Sequence, residues 1–202
     1  MHDSPQHDFR ATELDPDLLS TPFGVQTNWH VITGAACSGK TTLIDLLADK
    51  GFQTVPETGR QYVESEMARG RTLDEIFESE ADERGMKDLQ LRIEHGLRAI
   101  EVVFLDRALP DSLTYYRTSG LNPNEFLAEC FHHRYASVFI LDRLPFQQNG
   151  VRNEDNAFAS LLDEWLARDY HTLGYRVLRV PVLSPQERLA FVLERLPEQG
   201  LI

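Results

Sequence analysis

The segment Gly34-Ala35-Ala36-Cys37-Ser38-Gly39-Lys40-Thr41 constrains the fold of this chain more than any other stretch of its sequence. Two glycines separated by four residues, followed at once by Lys and Thr, fit G-x-x-x-x-G-K-[ST] at every fixed position. Before it stands Trp29-His30-Val31-Ile32-Thr33, an apolar run of strand length. After it, Leu43, Ile44 and Leu47 recur at helical spacing. A buried strand, a tight loop and a helix in that order belong to an open α/β sheet.

The chemistry of the loop follows from its residues. Gly34 and Gly39 admit backbone conformations that a side chain obstructs, so consecutive N–H groups from Gly34 through Ala35, Ala36, Cys37, Ser38, Gly39, Lys40, Thr41 and Thr42 can surround phosphate oxygens. Lys40 supplies positive charge toward the β- and γ-phosphates. The Thr41 hydroxyl suits Mg²⁺, and the helix that follows points its positive end at the anion. A nucleoside triphosphate is therefore the expected ligand.

The 202 residues are enough for one domain with a substantial core. Residues 1–26, rich in Asp, His, Pro and Thr without a sustained period, read as an extended or partly disordered arm, and 27–202 as the folded domain. Cys37 and Cys130 are too few for a disulfide framework, and the N-terminal residues lack the basic and apolar segments of a signal peptide, so a reducing cytoplasm is expected. No apolar stretch approaches the roughly 20 residues of a membrane span. A net charge of −12, from 32 acidic and 20 basic side chains, argues against a nucleic-acid polymer and for a small anionic ligand.

Further apolar runs predict strands at 53–55, 102–105, 138–141 and 175–180. Helices are expected near 40–50, 57–69, 72–80, 84–99, 109–119, 123–132, 154–172 and 185–196. Ser184-Pro185-Gln186-Glu187 is the clearest helix start, with a cap, Pro at the first position and a capping-box Glu. The alternation gives an α/β three-layer sandwich with a mainly parallel five-stranded sheet.

Such sheets gather ligands at the carboxyl ends of their strands. Glu57 and Arg60 follow the second strand and are candidate acceptor-binding residues. Asp106 follows the third, placed to orient Mg²⁺ or an attacking hydroxyl, and Arg107 beside it is a candidate for holding the acceptor or neutralising the transferred phosphate. Asp142-Arg143 follows the fourth and opens a segment, 142–153, that reads as a lid with Gly150 as hinge. Arg143 and Arg152 are its candidate phosphate contacts. The ordinary alternatives are helix-end electrostatics for Glu57 and a surface pair with Arg60. Tyr115 and Tyr116 read as core aromatics before base-stacking groups. Cys37 lacks the features of a nucleophile, and Cys130, His132 and His133 lack a second ligand pair for zinc.

On Gly34 through Thr41, Pro56-Glu57-Thr58-Gly59-Arg60, Leu105-Asp106-Arg107 and residues 145–152, the chain resembles the P-loop nucleoside and nucleotide kinase-like ATPases. The likeness is greatest to the group related to the ribosylnicotinamide kinase domain of bacterial NAD regulators, and it spans about residues 29–196. It extends to proteins grouped as AAA-type ATPases, without the second region or arginine arrangement of a hexameric motor. The resemblance implies a Mg²⁺-dependent transfer of the ATP γ-phosphoryl group to a small nucleoside-like acceptor. In that chemistry Lys40, Asp106 and Arg152 are catalytic, and Thr41 and Asp106 hold the metal. Phe146 stands where the family pattern has Trp, and Gln148 and Asn149 where it has an acidic pair, so the acceptor is left open. GTP is not excluded as donor. The alternative is an NTP-binding regulatory switch without a small acceptor. Oligomeric state is not legible.

Overall fold

The fold grows outward from one strand whose two faces are both covered. The computed structural model describes residues 12–144 and 156–196. In chain order its elements are α1 (Pro16–Leu19), β1 (Val25–Gln26), β2 (Trp29–Thr33), α2 (Lys40–Asp49), β3 (Gln53–Val55), α3 (Thr58–Ala68), α4 (Leu73–Phe77), α5 (Glu80–Gly96), β4 (Val103–Asp106), α6 (Asp111–Thr118), β5 (His133–Arg134), β6 (Ser137–Leu141), α7 (Asn156–Thr172), β7 (Val177–Val180) and α8 (Pro185–Leu193). Every residue of β2 is buried, as a central parallel strand between two helical layers requires.

The main sheet has five strands in the order β3-β4-β2-β6-β7, all parallel. Alternation along the strands divides the core in two. Trp29, Val31, Val103, Leu105, Val138 and Ile140 face one helical layer with Leu113, Tyr116, Leu166 and Tyr170. Ile32, Phe104, Phe139 and Leu141 face the other, with Leu43, Leu47, Leu189 and Val192. The result is the expected three-layer sandwich. The capping box at Ser184 and Glu187 is present, with Pro185 at the first helical position.

Two regions differ from the sequence reading. The segment expected as an extended arm is, from residue 12 onward, laid on the domain. Leu14 is buried, α1 contacts the 3₁₀ segment Leu127–Phe131, and β1 pairs in parallel with β5 through Val25↔His133 and Gln26↔Arg134. The single helix expected over 123–132 is two 3₁₀ pieces, Pro123–Glu125 and Leu127–Phe131. Asn122 caps the first through its side chain, and Phe126, at φ −131 and ψ 13, lies outside helical geometry and separates the two.

Candidate active site

The phosphate-loop residues sit where the central strand meets α2. Gly34 has φ 138, and a Cβ there would lie 2.8 Å from the Leu141 carbonyl oxygen of the neighbouring strand, so only glycine fits. Gly39, at φ 87, is the N-cap of α2 and brings no capping side chain, which leaves the helix's first N–H groups open to an anion. Cys37 also has positive φ, at 57, and is exposed. The Ser38 hydroxyl is buried without a hydrogen-bond partner. Lys40 is buried and donates to the carbonyls of Gly34 and Ala35, both at 3.0 Å. Burial pushes its ammonium down to about 8, with Arg107 adding to the effect and nearby carboxylates opposing it.

Register brings the next group in. Ile32 pairs with Asp106, so the end of β4 lies abreast of the start of the loop. Thr41 Oγ1 donates to Asp106 Oδ2 at 3.5 Å, while Oδ1 is buried with no partner. Burial is the main force pushing Asp106 up to about 6, against the pull of Lys40. A hydroxyl and a carboxylate with an unpartnered buried oxygen form a hard donor set that fits Mg²⁺, which takes one or two protein ligands and fills the rest of its octahedron from phosphate and water. Among the described residues no group of three or more His, Cys, Asp or Glu is placed to hold a metal unaided.

Glu57 and Arg107 meet across the same strand ends. Arg107, at φ 70, turns its side chain back so that Nε donates to Glu57 Oε1 at 2.8 Å and Nη1 to Asp111 Oδ1 at 3.3 Å, with the Tyr115 ring 5.1 Å from its guanidinium carbon. Burial raises the Glu57 carboxyl, but the charge and hydrogen bond of Arg107 outweigh it and hold the group below its usual value. Arg107 therefore positions Glu57; its own charge is already met by two carboxylates. Arg60 is a distant second partner, exposed and 4.0 Å from Glu57. Thr41, Asp45, Glu57, Arg60, Glu64 and Asp106 line a cleft of about 190 Å³.

Arg143 donates to Ser160 on α7 at 3.1 Å. Arg152 and the rest of the expected lid, residues 145–153, lie outside the described residues. Tyr116 is core, as its position suggested, and Cys130 is buried, its thiol pushed up by burial.

Two residues escaped the sequence reading. Asp111 is buried and accepts from Thr33 Oγ1, from Ala108 N at 3.1 Å and from Tyr170 OH at 2.6 Å, fixing the turn that carries Arg107. Arg188, on α8, reaches the phosphate loop itself. Their partners lie 78 and 150 residues away in sequence, and no local pattern announces them.

A family model described as an AAA domain matches residues 29–188. The chain belongs to this AAA-domain family. Its fold is that of the P-loop kinases. It superposes on NadR in complex with NR with TM-score 0.61 and 20% identity, over 88% of this chain and 51% of that one. For NadR with NAD and AMP-PNP the values are 0.60, 20%, 83% and 49%. A thymidylate kinase from Candida albicans gives 0.53 and 14% identity, over 83% of this chain and 90% of that one. The chain thus spans about half the length of the NadR chains it matches. No curated protein matches it significantly in sequence. Among the described residues no helix is long and apolar enough to cross a membrane.

Proposed function

We propose that this protein is a Mg²⁺-dependent kinase that moves the γ-phosphoryl group of a nucleoside triphosphate, ATP by preference, to a hydroxyl of a small nucleoside-like acceptor. The observation that carries the reading is the convergence of buried Lys40, the Thr41–Asp106 pair and the Arg107-oriented Glu57 at one end of the sheet. Nucleotide binding alone needs only the first two; the fixed carboxylate adds a group able to orient an acceptor hydroxyl.

In this reading the loop amides and Lys40 bind the β- and γ-phosphates. Thr41 and Asp106 would hold Mg²⁺, which when bound neutralises phosphate charge and holds the triphosphate in line. Glu57 accepts a hydrogen bond from the acceptor hydroxyl and aims its oxygen at the γ-phosphorus. The new O–P bond forms as the β–γ bridging bond breaks, ADP carries away the bond's electrons, and the hydroxyl proton passes to Glu57. The loose transition state of phosphoryl transfer needs alignment more than a strong base, so a carboxylate held low by Arg107 suffices. Arg152, and Arg143 at the start of the same segment, would add positive charge to the transferred group.

The cleft favours an acceptor without phosphate. Among the described residues its lining holds Asp45, Glu57, Glu64 and Asp106 with Arg60 as the one cation. Although Arg107 and Lys40 offset Glu57 and Asp106, that lining disfavours a dianion and tolerates a neutral or cationic nucleoside. NR in the similar NadR structure is consistent with that class. The test is incubation of the protein and a Lys40→Ala control with Mg-ATP and a nucleoside panel that includes nicotinamide riboside, with products read by mass spectrometry. A phosphorylated nucleoside absent from the control supports the kinase. Nucleotide binding without any product moves the assignment to the regulatory switch.

A further inference from the structure

Arg188 is a buried cation whose charge is met by no ion pair among the described residues. It is 3% exposed. Its guanidinium donates to three backbone carbonyls from three separate segments: Ser38 in the phosphate loop, Asp142 at 2.9 Å where the chain leaves β6, and Pro181 at 3.0 Å after β7. The Asp142 carboxylate is turned toward Arg179, 3.5 Å away. The guanidinium's hydrogen bonds go to carbonyl oxygens, and the Asp142 carboxylate, shared with Arg179, favours its charge by less than burial disfavours it, a balance that a nearby anion would improve.

The bond to Ser38 has a second consequence. The peptide joining Ser38 to Gly39 is trans, so its carbonyl and its N–H point in opposite directions. Drawing the Ser38 oxygen onto Arg188 therefore turns the Gly39 N–H away from that guanidinium. Arg188 also stands 3.3 Å from where a Cβ on Gly39 would be, so the same guanidinium adds to the need for glycine there.

We infer that Arg188 is a positioning residue of the phosphate site: it sets the direction of a loop amide that binds the triphosphate and supplies, through the loop, a positive field that the triphosphate completes. The inference rests on the nucleotide reading of the loop. No phosphate contact by Arg188 itself is needed. Its effect should grow with the number of phosphates on the ligand and be small for an uncharged nucleoside.

The test uses the full chain with Arg188→Met, which removes charge and donors at similar length, and Arg188→Lys, which keeps charge but loses the planar fork. Calorimetry gives the affinities for Mg-ATP, Mg-ADP and AMP, and thermal melts without ligand report folding. Arg188→Met is expected to weaken Mg-ATP about 10- to 100-fold, the effect of losing one charge-assisted hydrogen bond, Mg-ADP less and AMP least. Arg188→Lys should fall between it and the wild type. A purely structural arginine would lower the melting temperature and leave the ratio of ATP to AMP affinity unchanged, which overturns the inference. If Arg188→Met does not fold, the lysine variant decides by the same ratio. A wild type that binds no triphosphate overturns the nucleotide reading together with this inference; wild-type binding with unchanged variants overturns the inference alone.

Discussion

Arg107 Nε lies 2.8 Å from Glu57 Oε1, a link between the turn after β4 and the N-terminus of α3 that fixes one wall of the cleft. The guanidinium also holds Asp111, and both its partners are largely buried. Removing one member of such a cluster leaves the others uncompensated. Arg107→Ala is expected to cost about 3–5 kcal/mol in urea unfolding, and turnover of the variant that remains folded should fall as Glu57 loses its orientation. Arg107→Lys keeps the charge without the fork and should lose less stability than Ala while still impairing turnover. Wild-type turnover in a folded Arg107→Ala would remove Arg107 as the residue that positions Glu57.

Asp106 gives a prediction of opposite signs for stability and activity. Its carboxyl titrates near 6 in the folded protein because it is buried, against about 3.9 in an unfolded chain. Between about pH 4 and 6 the folded state holds more protons than the unfolded one, so this group makes stability fall as pH rises through that window. Asp106→Asn removes the penalty. At pH 7 without ligand the variant should be more stable than the wild type, by on the order of 1–3 kcal/mol, and the difference should vanish below about pH 4. Mg²⁺-dependent turnover should be lost in the same variant. Thermal melts at the two pH values check the sign.

The parts legible in the sequence are those whose causes are local. The loop from Gly34 to Thr41 is a contiguous pattern, β2 is one apolar run, and α8 begins with a capping box written into four successive residues. The strand-end rule also led to Glu57 and Asp106, because parallel strands end together. What was missed depends on distant partners. Two-residue strands such as β1 and β5 carry no period, and they form only because each supplies the other's hydrogen bonds. Arg107 was found, but its left-handed backbone, which turns the guanidinium from phosphate toward Glu57, has no signature at a non-glycine residue. Arg188 reads as an ordinary helical arginine until Ser38 is brought beside it.

Cys37 reports on the loop without any mutation. It is exposed and lies between the two glycines, whereas Cys130 is buried in the core. N-ethylmaleimide should therefore modify one site in the folded protein, and peptide mass spectrometry should place it at Cys37. Modification should weaken triphosphate binding, because the adduct adds bulk to the loop proposed to hold the phosphates. Saturating Mg-ATP should slow the modification rate at least about tenfold, as expected if only the nucleotide-free form reacts. A rate indifferent to Mg-ATP would mean that the nucleotide does not occupy this loop.

Lys40 makes triphosphate affinity depend on pH in a stated direction. Burial pushes its ammonium down to about 8 in the ligand-free protein, whereas an unfolded chain keeps lysine near 10.4. Between those values the unfolded state binds the extra proton, so Lys40 makes ligand-free stability rise with pH across that window. Binding behaves oppositely. A triphosphate favours the charged ammonium, so as pH climbs above about 8 the site must take up a proton to bind, and affinity should fall with a slope approaching about tenfold per pH unit. Calorimetry of Mg-ATP binding at pH 7, 8 and 9, in buffers of different ionisation enthalpy, measures both the slope and the proton uptake. Lys40→Met should bind weakly and show neither. A wild type whose slope above pH 8 matches that of Lys40→Met would place the titrating group elsewhere and remove Lys40 as the cation that meets the phosphates.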